Sequence, residues 1–445
     1  MNKTGEHPVE SRHSDSPGLA GWYLIFVLTL AYTASFIDRQ VLNLLVGPLK
    51  ADFGLDDTRL SLLQGLAFTG AYILMSPIFG RLADTGSRKG VLLFGVILWS
   101  MGTSFCGLAR NYWQLFLARF GVGGAEACLT PAAWSIIADS FPERMMPRAF
   151  SIYMMGPYLG GGLALIFGGL LLDSAAQWDL SAVPLLGALK PWQLVFLCAG
   201  LPGVLIGFLL LFVREPVRKR SMIVTEHEEM PWSEVWKIFV QWRGFYANFY
   251  AGMACMVITL YAFPAWMPTV LIRKFGASAG DVGMQYGVAI LLTGSVGVLT
   301  GPWLARLIER TGRKDHLLIV PLGSALALIP ICGMLSLANS YIATLVVATL
   351  ASFVYSVPQA LASSALQLVT PNRMRGIASS IYVFSVSVTG LGLAPTFVAL
   401  LTDYVFQDEM RVGDSLAVTC ALSAIASALF LWQALKGYRR LIAVT

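Results

Sequence analysis

Residues 80–89 read Gly-Arg-Leu-Ala-Asp84-Thr-Gly-Ser-Arg88-Lys89, a compact run of charge between two long apolar stretches. A shortened echo, Glu309-Arg310-Thr-Gly312-Arg313-Lys314, stands further along, with Asp84 to Glu309 and Arg88 to Arg313 both separated by 225 positions. A second pair repeats at nearly the same distance: Pro142-Glu-Arg144-Met145 and Pro371-Asn-Arg373-Met374 are offset by 229. Two matched pairs at almost one offset indicate a duplicated unit. A repeat of this kind in a membrane chain puts a binding site at the interface of the halves, near mid-membrane.

Composition supplies the membrane. The 445 residues are 56% hydrophobic and 13% charged, about half the charge of a soluble domain. The apolar residues arrive in runs such as 22–36, 247–270 and 317–337. These are near or beyond the length that crosses a ~30 Å hydrocarbon core as a helix, whereas barrel strands would alternate over about ten residues. Breaking the runs at charged, Pro/Gly and Asn/Asp punctuation predicts twelve spans near 20–47, 59–82, 90–109, 111–139, 147–172, 192–213, 243–271, 281–307, 316–336, 341–368, 376–403 and 415–435. The expected fold is an all-α polytopic membrane protein, with twelve transmembrane helices in two pseudo-symmetric six-helix bundles.

The formal charge of +6 sits in short loops between spans rather than on one patch, which is a topology signal and argues against a nucleic-acid partner. Loops on the side of the termini hold twenty-two Lys and Arg against seven on the other. Both termini are therefore expected in the cytoplasm, with the chain multi-pass in the cell's inner (plasma) membrane. The first eighteen residues are too long and acidic for the n-region of a signal peptide, so the first apolar run is expected to stay as a span. The expected organisation is a tail at 1–18, a bundle at 19–213, a cytoplasmic linker at 214–242, a second bundle at 243–435 and a tail at 436–445. In the linker, Trp232, Val235, Trp236 and Phe239 fall at amphipathic helical spacing and predict an interfacial helix.

Four ionisable residues interrupt the apolar spans: Asp38 and Arg39 in the first, Arg119 and Glu126 in the fourth. Each would cost about 2.5–3.5 kcal/mol unpaired at a span centre, so they must pair or face water. Helical rise puts Asp38, Arg39 and Arg119 at a shared depth, making a cluster centred on Asp38 and Arg119, or on Asp38 and Arg39, feasible. Residues 38 and 39 point about 100° apart, which argues against a simple pair between them. Glu126 lies two turns beyond Arg119 on the same face. Burial favours a neutral carboxyl and a neighbouring guanidinium favours the carboxylate, and that competition makes a proton switch. Asp38 is the first candidate to carry the proton and Glu126 the second. The C-terminal half has no such central charge. Its Phe263, Met267, Tyr355, Gln359 and Tyr382 are candidates for a mostly apolar substrate wall.

Asp84 and Arg88, with Glu309 and Arg313, are candidates for gating contacts at the loops between spans. Gly156-Pro157 in the fifth span removes a side chain and a backbone donor and is a candidate hinge. The six cysteines all fall in apolar runs without CxxC spacing, and the four histidines lie in tails, loops or at a span end. No metal site or cofactor is therefore expected. No HExxH, GxSxG or GxxxxGK[ST] motif occurs, so an intramembrane enzyme lacks its parts and nucleotide-driven transport is unsupported.

The segment 80–89 resembles the signature loop between the second and third helices of the major facilitator superfamily, and 309–314 the degenerate second copy. Arg119, Gly123 and Ala127 resemble that superfamily's fourth-helix motif, and Gly156-Pro157-Tyr-Leu-Gly160-Gly161 the core of its fifth-helix antiporter motif. Thr85 stands where the loop usually has arginine, and Gly86-Ser87 shift the usual glycine by one. More narrowly, Phe36-Ile-Asp38-Arg39-Gln-Val-Leu-Asn43, Leu62-Leu-Gln64-Gly65, Gly70 and Glu126 resemble the Spinster family of lipid transporters in its bacterial form. The resemblance implies proton-linked movement of a sphingolipid- or lysolipid-like amphiphile by alternating access. An Asp-Arg pair also occurs in organic-anion symporters of the superfamily, which keeps an organic-anion or drug carrier as the alternative. The expected partners are such a substrate, protons and membrane lipid, with the protein a monomer.

Overall fold

The structure, a computed structural model, describes residues 18–142, 145–175, 177, 189–216, 218, 232–371 and 374–442. Within these, eleven helices are long and apolar enough to cross a membrane: Gly18–Leu44, Asp57–Thr85, Arg88–Gly107, Arg148–Ala175, Pro191–Leu211, Arg243–Phe275, Ala279–Glu309, His316–Leu337, Tyr341–Val369, Arg375–Phe406 and Glu409–Ile442. The remaining expected span, the fourth, is two shorter helices, Tyr112–Glu126 and Leu129–Ser140. The twelve predicted traverses are thus present. The fourth fails to form one helix because it breaks right after the charged Glu126.

Polar side chains start the spans. Ser87, Asn111, Ser278 and Ser340 each accept a hydrogen bond from the backbone N–H three residues on, at 3.0, 3.0, 3.0 and 3.2 Å. Such caps satisfy donors that hydrocarbon cannot. Gly276 ends the seventh span in the left-handed region (φ 65°). Bulky residues such as Leu74, Phe94, Trp113, Phe167 and Phe208 remain exposed on the bundle's outside, as lipid-facing positions do.

The duplication is visible in the irregularities. The tenth span breaks between Ser356 and Gln359, as the fourth does between Glu126 and Leu129. The fifth breaks between Tyr153 and Gly156, and the eleventh widens into a π-helix at Ser387–Leu393. Spans six apart are therefore distorted at similar places, which freed backbone groups permit where they line protein or a cavity.

The halves meet along two seams. In one, the fifth and eighth spans touch backbone to backbone: a Cβ on Gly283 would lie 2.1 Å from the carbonyl of Leu165, and one on Gly169 would lie 2.3 Å from that of Ala279. In the other, the second span bends at Gly65, where a Cβ would come within 2.3 Å of the Gly392 carbonyl in the eleventh. Only glycine allows such approaches.

Most of the expected linker (219–231), residues 1–17 of the expected tail, and the echo arginines Arg144 and Arg373 lie outside the described residues, as does the Trp232 side chain. The linker helix forms over Trp232–Gln241, with Val235 buried, Trp236 exposed and Phe239 edge-on to Tyr246 at 4.8 Å.

A buried charge cluster and cavity between the halves

The first span carries Asp38 and Arg39 to the fourth, whose broken end presents Glu126. Arg39 donates to one Glu126 oxygen from Nε at 2.8 Å and from Nη2 at 2.6 Å. Both side chains are nearly out of solvent, at 11% and 0% exposure. The guanidinium also lies over the rings of Phe36 at 4.7 Å and Phe68 at 4.5 Å. Aromatic faces on one side and a carboxylate on the other replace the water this cation has lost.

The expected pairing is corrected here. Arg119 does not grip the Asp38 carboxyl; its Nη1 donates to the Asp38 backbone carbonyl at 2.9 Å. Its Nε and Nη2, the Asp38 Oδ1 and the second Glu126 oxygen have no hydrogen-bond partner among the described residues. The reason is rotation. Residues 38 and 39 point apart, so the longer Arg39 reaches Glu126 while Asp38 faces elsewhere, beside Thr103. The depth arithmetic brought the four residues together and could not choose partners.

A cavity of about 260 Å³ opens between the halves. The first span contributes Tyr32, Phe36 and Gln40, the fifth Pro157 and Tyr158, the seventh Tyr261, and the tenth Ser352, Tyr355 and Gln359. Of the expected wall, Tyr355 and Gln359 line it. Phe263 and Met267 do not; both are completely buried in the packing of the C-terminal half. Tyr382 is also away from the lining, tilted against Phe249 at 5.9 Å. Pro157 borders the cavity directly after the break in the fifth span, and Gly156 packs on Tyr32.

Away from the termini the halves are clasped. Arg273 of the seventh span donates to both oxygens of Asp57 in the second at 2.7 and 2.8 Å, and Lys50 reaches the same carboxylate at 2.5 Å. Lys50 also pairs with Glu409 at 2.8 Å, and Asp403 accepts from the Thr58 N–H and hydroxyl at 2.7 and 2.6 Å. On the other seam Asp173 accepts from the Gly280 N–H at 2.8 Å. Both ion pairs between described residues that join the halves, Lys50–Glu409 and Arg273–Asp57, lie at this far end. Sequence reading missed the clasp because charges flanking a span look like ordinary loop charges. The one available signal was Asp56-Asp57 at a helix start on the Lys/Arg-poor side.

At the terminus side only one of the four expected gating residues is built into a buried cluster. Arg88, 1% exposed, pairs with Asp139, bonds Glu215 at 3.1 Å and donates to the Pro216 carbonyl at 2.8 Å. Asp84 does not fill the expected acceptor role: it is exposed, and its side chain makes no hydrogen bond or ion pair among the described residues. Glu215 takes that role, accepting from the Ser87 hydroxyl at 2.7 Å and from the N–H of Arg88 at 3.0 Å, at the open start of the third span. Arg218 caps the other arm of the loop, donating to the carbonyls of Ala83 and Gly86 at 2.7 and 2.6 Å. In the second copy Arg313 bonds Asp315 at 3.2 Å, Asp315 also holds Arg439 at 2.7 Å, and Glu309 is exposed.

Two six-helix halves around a central cavity, with a buried charge cluster in one half, define a transporter rather than an enzyme. Residues 28–395 match the Major Facilitator Superfamily, and the chain belongs to that family. Within it, the chain is 27% identical over 440 residues to an MFS-type efflux pump of Mycolicibacterium smegmatis, with 97% of each covered. It is 26% identical to the sphingosine-1-phosphate transporter SPNS2 of Danio rerio, over 85% of this chain and 75% of that one. Among solved structures it resembles a bacterial homologue of the human lysosomal transporter Spinster, in an inward-facing and occupied conformation. That likeness has a TM-score of 0.75 and 25% identity, and covers 95% of this chain and 97% of the other. The Spinster resemblance read from the first, second and fourth spans is thereby supported.

Proposed function

We propose that the protein is a proton-coupled secondary transporter that moves an amphipathic lipid of the sphingolipid or lysolipid class by alternating access. It works as a monomer in the cell's inner membrane with both termini cytoplasmic. The observation that carries this reading is the buried Arg39–Glu126 pair standing behind the aromatic wall of a cavity whose lining carries no formal charge.

Charge in such a place is costly unless it has a task. The unpartnered oxygens of Asp38 and Glu126 are open protonation sites. When Arg39 holds Glu126, that carboxylate is neutralised without a proton. When the first and fourth spans shift and the grip loosens, a proton must replace the guanidinium. Proton loading is thus tied to helix movement, and Asp38, one residue away, changes surroundings with the same shift. The halves at 19–213 and 243–435 rock about the two glycine seams. With the termini placed in the cytoplasm, the shut far clasp is the outward gate in this reading. The Arg88 cluster and the second copy at Glu309 and Arg313 govern the opposite gate, and the fifth span bends at Gly156-Pro157. The likeness to the lipid-named relative supports the choice of cargo.

A second reading, an organic-anion or drug carrier, is favoured by the two donor nitrogens of Arg119 without a partner among the described residues and by the likeness to an efflux pump.

The test is reconstitution in liposomes under a pH gradient. Internal pH and the movement of a labelled lysosphingolipid are followed for wild type and Asp38→Asn. Transport that needs the gradient and fails in the variant supports the switch and the cargo together. Gradient-independent movement unchanged by Asp38→Asn removes Asp38 from the mechanism, and no lipid movement directs the search to organic anions.

A further inference from the structure

The charged groups of the N-terminal half stand behind the cavity rather than in its lining, where no side chain carries a formal charge. Polar groups in the lining differ in how far they are already engaged. Gln40 accepts a hydrogen bond from Asn43 at 2.5 Å, and Gln359 donates to the Tyr355 carbonyl at 3.0 Å. The hydroxyls of Ser352 and Tyr355 are different. Both residues border the cavity on the tenth span and are 0% and 2% exposed; their hydroxyls face one another, yet neither closes a hydrogen bond of 3.5 Å or less among the described residues. Tyr286 of the eighth span, within electrostatic reach of Tyr355, is 0% exposed and its hydroxyl has no hydrogen-bond partner among the described residues. Buried hydroxyls in native proteins find close partners, so a facing pair left without a short hydrogen bond at a cavity wall calls for a guest. Phe263, outside the cavity lining, packs at a tilt against the Tyr355 ring with centroids 6.3 Å apart.

We propose that Ser352 and Tyr355, with Tyr286 in reach, form a subsite that takes an uncharged hydrogen-bonding group of the cargo, an alcohol or amide. The cargo's ionic end is left to the N-terminal half. The proposal rests on the reading of the cargo as an amphiphile and adds a requirement to it. Two hydroxyls, each able to donate and accept, match a group that does both, and an aliphatic chain offers them nothing. The subsite therefore ranks amphiphiles of equal chain and equal charge by the hydroxyl beside the headgroup.

The experiment compares proteoliposome transport of an oleoyl lysophosphatidate, which carries a free glycerol 2-hydroxyl, with its 2-deoxy analogue. Wild type, Ser352→Ala, Tyr355→Phe and Ser352→Thr are measured. Wild type should half-saturate at roughly tenfold lower concentration with the hydroxyl lipid. Ser352→Ala and Tyr355→Phe should raise that concentration far more for the hydroxyl lipid than for the deoxy lipid, and shrink the preference to about threefold or less. Ser352→Thr, which keeps the hydroxyl, should retain it, including where the alanine variant does not fold. Equal damage to both lipids would mark the hydroxyls as structural, and a preference unmoved by the variants would place the reader elsewhere. A wild type that moves both lipids equally well overturns the subsite alone. One that moves neither overturns the amphiphile reading and the subsite with it.

Discussion

Arg273, near the end of the seventh span, holds both oxygens of Asp57 at the start of the second, at 2.7 and 2.8 Å, and Asp57 is entirely buried beneath it. One fork-shaped cation thus ties the two halves at the end opposite the termini. Arginine suits the task because its planar donors match a carboxylate in two places at once.

Arg273→Gln should open the far end. Removing one partner of a buried ion pair costs about 3–5 kcal/mol; here Lys50 remains on Asp57, so the closed state should lose less. Pulsed electron resonance between spin labels at Ala51 and Gln407 should show a longer-distance population in the variant. An unchanged distribution would mean that the glycine seams alone hold this end.

Gly65→Val tests those seams without touching charge. Its Cβ would meet the Gly392 carbonyl at 2.3 Å, so the second and eleventh spans must separate. The same label pair should report far-end opening, with transport slowed at least tenfold because one of the two states has become inaccessible. Gly54→Ala, with nothing within 4 Å of the added atom, controls for loss of glycine; its strain comes from its positive φ of 62° and lies outside the seam.

Glu126→Gln should separate binding from coupling. The amide can still accept a hydrogen bond from Arg39, so the helices stay in register, but it cannot exchange a proton. Lipid exchange without a gradient should persist within a few-fold, while gradient-driven accumulation falls at least tenfold. Accumulation equal to wild type would move the proton to Asp38 alone.

Glu215 carries a pH prediction. Burial pushes its carboxyl up, but hydrogen bonds from Ser87, Arg88 and Lys89 outweigh that and hold it below the usual carboxylate range. A depressed value stabilises the fold above the ordinary glutamate pKa of about 4.3 and loses that contribution as pH falls through the lower folded value. Glu215→Gln should therefore lower thermal stability in detergent by an amount worth about 1 kcal/mol at neutral pH, after solvent screening. The difference should vanish well below pH ~4. A difference independent of pH would show that the carboxylate's charge is not what the loop uses.

Hydropathy and the 225-residue echo were enough to place a twelve-span duplicated membrane protein, and the resemblance of its loop and span motifs to a known superfamily made it a transporter. The same sequence marked Asp38, Arg39, Arg119 and Glu126, because an ionised group in hydrocarbon is too costly to be incidental. These are local properties: a run's length, a residue's transfer energy and a spacing can all be read along one chain. Tertiary structure decided what depends on helix rotation and on contacts between distant spans. It gave Arg39 rather than Arg119 a carboxylate, set Phe263 and Met267 into the core instead of the cavity, and left Asp84 on the surface while Glu215 took its place beside Arg88. It also joined Asp57 to Arg273 across 216 positions. Hydrophobic pattern is blind to such pairings, since it constrains which residues enter the membrane and only loosely which face of a buried helix meets which neighbour.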